Sequence, residues 1–369
     1  MKRSRLVRFT AILMALAMLV ALAGCSGGKK TETVDLSSLT MDELIAKAKE
    51  EGHVESVGMP DDWANWGESW ANFTAKYGIT HNDNDMSSAQ ELSTFEAEKD
   101  SPTRDMGDVG QAHGAVAIEM DVVQGYKPTT WDEIPDWAKD PEGRWIISYL
   151  GTMGVLVNND LVKDDITSWQ ALKASDCKMT PGDVIGGASS QMSVLSAAYA
   201  FGGGLDNVQP GIDFFKEMAQ AGRIDAGQLS QQRFSMGEIE VAFHWDYNLL
   251  GWRDITLEAN PSMKVTPHVL TDGAIQSGYC LVFNKTAPHP HATALAIEYL
   301  LSDEGQLDRV KGYASPIRDI EIPEEIQAKR IAKDEYADAI PLTDNDALTK
   351  ACEEISVLWE EEIVPLLGQ

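Results

Sequence analysis

Five aromatic residues, Trp63, Trp66, Trp70, Phe73 and Tyr77, follow one another at spacings of three, four, three and four. Side chains at that period share one face of an α-helix, so the segment reads as a helix whose aromatic side is core. Only Trp63 stands where the preceding loop, Pro60-Asp61-Asp62, can open to a ligand. Ahead of that loop, His53 to Met59 reads as a strand, and before it Thr40-Met41-Asp42-Glu43 is a capping box heading a helix that Gly52 stops. The same grammar recurs. Met106 to Val109 leads into Gly110-Gln111-Ala112-His113-Gly114, and Val184 to Gly187 reads as a short strand ending at Ala188-Ser189-Ser190-Gln191, before a helix over Met192 to Phe201. Glu240 to Trp245 ends in Asp246-Tyr247-Asn248, and Gly278 to Asn284 precedes a helix through Leu301. Strands alternating with helices make the fold class α/β.

The chain begins with a basic head, Lys2, Arg3, Arg5 and Arg8, and a nearly unbroken apolar run from Phe9 to Ala23, the build of a secretory leader. Leu22-Ala23-Gly24-Cys25 resembles the lipobox of bacterial lipoproteins. That resemblance implies a signal peptide over 1–24, a lipid on Cys25, and a small, polar tether over 25–39 that holds the rest outside the cytoplasmic membrane. No second apolar run is long enough to span a bilayer. The leader takes four of the 30 basic residues with it, leaving 58 acids against 26 bases. So acidic a chain excludes nucleic acid and an anionic lipid surface as partners. Cys177, Cys280 and Cys352 are widely spaced, which fits buried thiols or at most one disulfide, and no metal knuckle.

An ordered set of short stretches resembles the solute-binding lipoproteins of ABC importers, in the branch that holds ferric-iron, sugar-phosphate and polyamine receptors. These are Asp61-Asp62-Trp63, Gly154-Val155-Leu156-Val157-Asn158, Ser168-Trp169, Trp245-Asp246-Tyr247, Asn284 to Pro290, Ser302 to Gln306, and Gly312 to Arg318. The resemblance implies the two-lobed type II periplasmic-binding-protein fold with two hinge crossings. Lobe 1 would take residues 40–149 and 276–318, lobe 2 residues 150–275, with 319–369 an acidic helical segment of unassigned lobe. It further implies a monomer that binds a small-molecule solute and delivers it to ABC permease subunits.

In open α/β sheets, ligand contacts gather on loops beyond the carboxyl ends of strands. That rule selects Asp61, Asp62 and Trp63, where carboxylates beside an indole suit an ammonium group, although Asp62 serves equally well as a helix cap. Trp245, Asp246 and Tyr247 repeat the pairing from the opposite lobe. Ser189, Ser190 and Gln191, ahead of a helix, suit an anion or simply cap that helix. Gln111, Tyr279 and Tyr313 complete the candidates, with His113 beside Gln111 as a further cleft or turn residue. The expected solute is an organic cation or zwitterion of polyamine-like size, with a sugar phosphate, a phosphonate or ferric iron as alternatives. Against iron, the chain has no Tyr-Tyr pair, and its tyrosines are scattered. His81 to Asp85 reads as a solvated turn because it lacks the glycine and terminal glutamate of a calcium loop. His289 and His291 also read as solvated turn residues. No cofactor and no metal site is expected. Gly-x-Ser-x-Gly, His-Glu-x-x-His and a phosphate loop are all absent, so a secreted hydrolase is the lower alternative and no catalytic residue is assigned.

Overall fold

A computed structural model describes residue 36 and residues 38–367, all within one compact unit that spans 35–369. The expected leader over 1–24, the expected lipidation at Cys25 and most of the expected tether over 25–39 lie outside the described residues. Helix α1 (Met41–Glu51) starts at its capping box: the Glu43 N–H donates to the Thr40 hydroxyl, and the Glu43 carboxylate accepts the Thr40 N–H at 2.9 Å. Gly52 ends the helix at φ 71°, a left-handed conformation suited to glycine. Strand β1 (His53–Val57) follows, and the aromatic stripe then buries Trp66, Trp70 and Phe73 in helix α2 (Trp66–Tyr77). Trp63 stays in the loop ahead of it.

Strand β2 (Thr80–Asn84), helix α3 (Ser88–Glu98), strand β3 (Met106–Gly110) and helix α4 (His113–Glu119) continue the alternation. The turn expected over His81 to Asp85 is therefore largely strand. β2 pairs in parallel with β1, and the His81 ring stacks on Trp70 with centroids 3.7 Å apart, which makes extended backbone worth more there than solvation. β1 also pairs in parallel with β3.

Strand β4 (Trp145–Asn158) is 14 residues long and buried throughout. Helix α5 (Ala188–Ala200), strand β5 (Val241–Trp245), helix α6 (Asp246–Ala259) and strands β6 (Val265–Val269) and β7 (Ile275–Asn284) come after it. From Trp145 to Thr152, β4 pairs antiparallel with β7, which also lies antiparallel to β3. From Met153 onward β4 runs between β5 and β6. One strand thus serves two sheets, ordered β2-β1-β3-β7-β4 and β6-β4-β5, and the chain returns from the second to the first through β6 and β7. Its even burial follows from having a packed layer on both faces in both sheets.

Two local expectations shift. Val184 to Gly187 is loop, and the strand beside β5 is Met179–Thr180, because Pro181 has no N–H to pair and Gly182 turns left-handed at φ 84°. Helix α5 begins at Ala188, so Ser189, Ser190 and Gln191 lie inside its first turn. After helix α7 (Pro290–Leu300), the acidic C-terminal part supplies helix α8 (Asn345–Leu358), which packs on α5 and α4. Cys177, Cys280 and Cys352 are buried and free.

Candidate functional site

A cavity of about 480 Å³ opens between the two sheets. One wall holds Gly58, Pro60 and Trp63 after β1, residues 85–87 between β2 and α3, Ser88 and Glu91 of α3 and Asp108 of β3. The other holds the 182–190 stretch leading into α5, residues 226–229 and His244 of β5. Most of these residues lie beyond or near carboxyl ends of strands, as the topology rule requires.

Asp108 and Glu91 form the buried acidic floor. The Glu91 carboxyl occupies space left by two glycines: a Cβ at Gly58 would stand 2.3 Å from one of its oxygens and a Cβ at Gly107 2.5 Å from the other. Its Oε2 accepts the Asp108 N–H at 3.0 Å. Burial, with Asp108 adding like charge, holds Glu91 well above the usual carboxylate range. On Asp108, Oδ2 accepts the Tyr149 hydroxyl at 2.5 Å and the Trp66 indole N–H at 3.2 Å, while buried Oδ1 has no partner. Burial pushes Asp108 up to about 8, against the pull of the Tyr149 hydrogen bond and the Arg309 charge. That guanidinium lies 3.6 Å from the centroid of the Trp66 ring and donates to Ala64 O at 2.7 Å, which fixes the indole that Asp108 uses.

Aromatic rings surround this floor. Trp63 meets His244, Tyr279 and Tyr247 edge-on, with centroids 5.0, 5.3 and 6.0 Å away, and its indole N–H donates to the Tyr149 hydroxyl at 2.8 Å. His244 accepts the Trp245 N–H on Nδ1 at 3.0 Å, which leaves the proton of the neutral ring on Nε2. Burial lowers His244 to about 3, so it carries no charge at neutral pH. The lining thus contains Asp85, Glu91, Asp108, Asp183 and an uncharged histidine, with no Lys or Arg among the described residues.

Of the residues singled out in the sequence, Trp63, Ser189, Ser190 and Tyr279 line this cavity. Asp61 and Asp62 do not: both are solvent-exposed beside it, although Asp62 still helps raise the Asp85 carboxyl, behind burial and Asp83. Gln111 is buried and spent on structure. Its Nε2 donates to Leu342 O and Asn345 Oδ1, and its Oε1 accepts from Ser277 and from the Gly278 N–H. Gln191 points away from the cleft, toward α8. Trp245, Asp246 and Tyr247 sit behind the lining because they form the junction of β5 and α6, not a loop. Asp246 there accepts the Thr152 N–H at 3.0 Å and the Tyr336 hydroxyl at 2.8 Å. Tyr313 donates to Asp254 outside the cavity. His289 and His291 are not solvated turn residues; each is half-buried, with Nδ1 on Asp105 and Glu51 respectively. The sequence placed Asp85 in what reads as a solvated turn, and Glu91, Asp108 and His244 carried no site expectation at all. The pattern that exposes Asp108 is a lone carboxylate in the otherwise apolar strand Met106–Gly110, a residue rarely buried without a purpose. The tyrosines, scattered in the sequence, also gather in space: Tyr149 stacks on Tyr279 at 5.8 Å and meets Tyr247 edge-on at 5.6 Å.

Two α/β halves sharing a long strand, with a ligand-sized cavity between them, are the architecture of the type II periplasmic binding proteins. The fold is similar to that of AfuA from Actinobacillus pleuropneumoniae, solved with fructose-6-phosphate, at a TM-score of 0.65 and 16% identity, covering 84% of this chain and 98% of that one. It is likewise similar to iron-bound HitA from Pseudomonas aeruginosa, at 0.66 and 16% over 84% and 98%, and to the GABA receptor Atu4243, at 0.62 and 18% over 83% and 96%. Residues 105–339, more than half of the chain, match the bacterial extracellular solute-binding proteins, and the chain belongs to that family. No match was found among curated proteins.

Proposed function

We propose that this protein is the lipid-tethered receptor of an ABC importer, and that it captures a small organic cation or zwitterion of polyamine-like size between its two halves. The observation that carries the ligand class is the acidic composition of the cleft: four carboxyl side chains line it, and among the described residues no Lys or Arg does, so a bound cation meets only groups that gain by ionising beside it. Aromatic faces at Trp63 and Tyr279 add cation–π attraction for an ammonium group. A zwitterion is accommodated as well, since Ser189 and Ser190 bring hydroxyls and the first turn of α5 to the opposite wall, where a carboxylate is favoured. GABA, the ligand named for one structural neighbour, has that charge pattern. Contacts from both walls exist only while the cleft is shut, so the solute favours the closed form that a permease receives.

Ferric iron is the second reading, favoured by the Tyr149, Tyr247 and Tyr279 cluster. Burial drives all three hydroxyls above their usual range, which opposes the tyrosinate that iron requires. A thermal-shift screen of the purified protein against polyamines, ω-amino acids, sugar phosphates, phosphonates and ferric iron tests the assignment, because a ligand bound by the native form alone raises the melting temperature. The expected result is a shift with amines or amino acids and none with phosphates or iron. A shift with iron and a coloured complex would overturn it. Incorporation of radiolabelled palmitate, lost in Cys25→Ala, tests the tether.

A further inference from the structure

Trp63 is aimed by the two residues that follow it. Ala64 and Asn65 both have left-handed backbone, at φ 44° and 62°, and the Trp66 N–H donates across them to Trp63 O at 3.0 Å. Positive φ at both central positions makes a mirror-image tight turn, which asparagine and glycine enter readily and alanine does not. Asn65 suits its place, and Ala64 does not. A right-handed pair at 64 and 65 is the unstrained way into α2, and it would send the Trp63 indole in another direction. As it stands, that indole reaches from the loop after β1 to His244 of β5 and Tyr247 of α6.

Three contacts hold the strained turn. Arg309, buried on the helix Asp303–Lys311, donates from its guanidinium to Ala64 O at 2.7 Å and to the Ser69 hydroxyl. Asn65 Nδ2 donates to Asp308 O at 2.9 Å. Gly312 lets the chain close on the turn from the same side, since a Cβ there would stand 2.5 Å from the Asn65 Cβ and 2.8 Å from the Ala64 carbonyl carbon. All three come from residues 308–312, none of which lines the cleft. A buried arginine is rare without a purpose, and here it grips the one carbonyl that a right-handed Ala64 would move.

We infer that Arg309 is a positioning residue for solute capture: by holding Ala64 O it keeps the left-handed turn that aims the Trp63 indole across the cleft. The inference rests on the cleft being the solute site. Arg309 also steadies the Trp66 indole beneath Asp108, so its two routes to the cleft have to be separated. Ala64 and Gly312 separate them, because both bear on the turn and neither bonds Trp66 or Asp108.

Fluorotryptophan labelling and fluorine NMR read the indole in the solute-free protein, with the Trp63 resonance assigned by its loss in Trp63→Phe, and calorimetric titration with putrescine reads capture. Arg309→Met keeps most of the side chain's bulk and removes its donors. The expected result is a shifted or split Trp63 resonance and putrescine affinity lowered about tenfold, the scale of a lost cation–π contact. Adding Ala64→Gly frees the left-handed backbone of its steric cost, and is expected to return the resonance and most of the affinity. A role confined to packing, or to Trp66 and Asp108, leaves that double variant as weak as Arg309→Met. Gly312→Ala crowds the turn while Arg309 stays in place, so it should move the same resonance, and it keeps the test open even where Arg309→Met misfolds. A Trp63 resonance unmoved by Arg309→Met or by Gly312→Ala, or not returned by Ala64→Gly, would overturn the inference and leave the reading of the cleft standing. Putrescine affinity that does not follow the resonance, or is absent from the unaltered protein, would instead count against the solute reading, and the role in capture falls with it.

Discussion

The Tyr149 hydroxyl links two residues of the cleft, accepting the Trp63 indole N–H at 2.8 Å and donating to Asp108 Oδ2 at 2.5 Å. Tyr149 lies on the strand common to both sheets, so the carboxylate at the cleft floor is held by the element about which the halves must bend. Tyr149→Phe removes the donor, leaves the Trp63 N–H to find water, and keeps the ring packing on Tyr279 and Tyr247. The expected outcome is a loss of amine affinity of about tenfold, the usual scale for a hydrogen bond to a charged group. Calorimetric titration measures it, and unchanged affinity would remove Tyr149 from the site.

Asp108→Asn separates the cost of the buried acid from its use. A carboxyl whose folded-state pKa is raised to about 8 favours folding while protonated and loses that contribution as the pH climbs from its ordinary range toward 8. The amide never ionises. Asp108→Asn is therefore expected to melt higher than the parent at pH 8 and to bind amines about tenfold to a hundredfold more weakly. Lower stability with retained binding would contradict both halves of this expectation.

The same titration sets a pH dependence for capture. An ammonium group needs Asp108 ionised, and in the empty cleft that carboxyl holds its proton until about pH 8. Affinity for an amine should accordingly rise from pH 6 to about 8, by up to tenfold per unit, with close to one proton released per solute bound near pH 7. Calorimetry in buffers of different ionisation enthalpy reads that proton directly. Affinity independent of pH, with no proton released, would show that Asp108 does not meet the cation.

The α/β alternation, the capped first helix and the split of the aromatic stripe into core and Trp63 were legible in the sequence because each depends on neighbours within one or two turns. The floor of the cleft was not. Asp108 is conspicuous only once β3 is known to be buried on both faces, and Glu91 only once Gly58 and Gly107, 33 residues before it and 16 after, are seen to leave room for its carboxyl. Trp245, Asp246 and Tyr247 have the composition of a cleft loop. They missed it because α6 starts directly at Asp246, with Trp245 as its cap, and leaves no loop there. Chemistry by residue type was readable at those positions, but direction was not, since direction depends on where an element begins.

The two walls of the cleft also meet at one close approach. Gly110, at the end of β3, faces Ala188, the first residue of α5, and a Cβ at position 110 would stand 2.3 Å from the Ala188 Cβ. Real Cβ atoms do not come so near, and neither is the far end of a flexible side chain, so Gly110→Ala must push the two elements apart. The residue sits in a strand and does not need a left-handed backbone, so the fold tolerates the methyl group. What it forbids is the closed cleft. Solute affinity is expected to fall about tenfold or more, because the closed form is the one that makes both sets of contacts. Small-angle scattering should no longer report compaction when solute is added. Adding Ala188→Gly removes the opposing methyl and is expected to restore most of the loss; a double variant as weak as Gly110→Ala alone would mean that this contact does not govern closure.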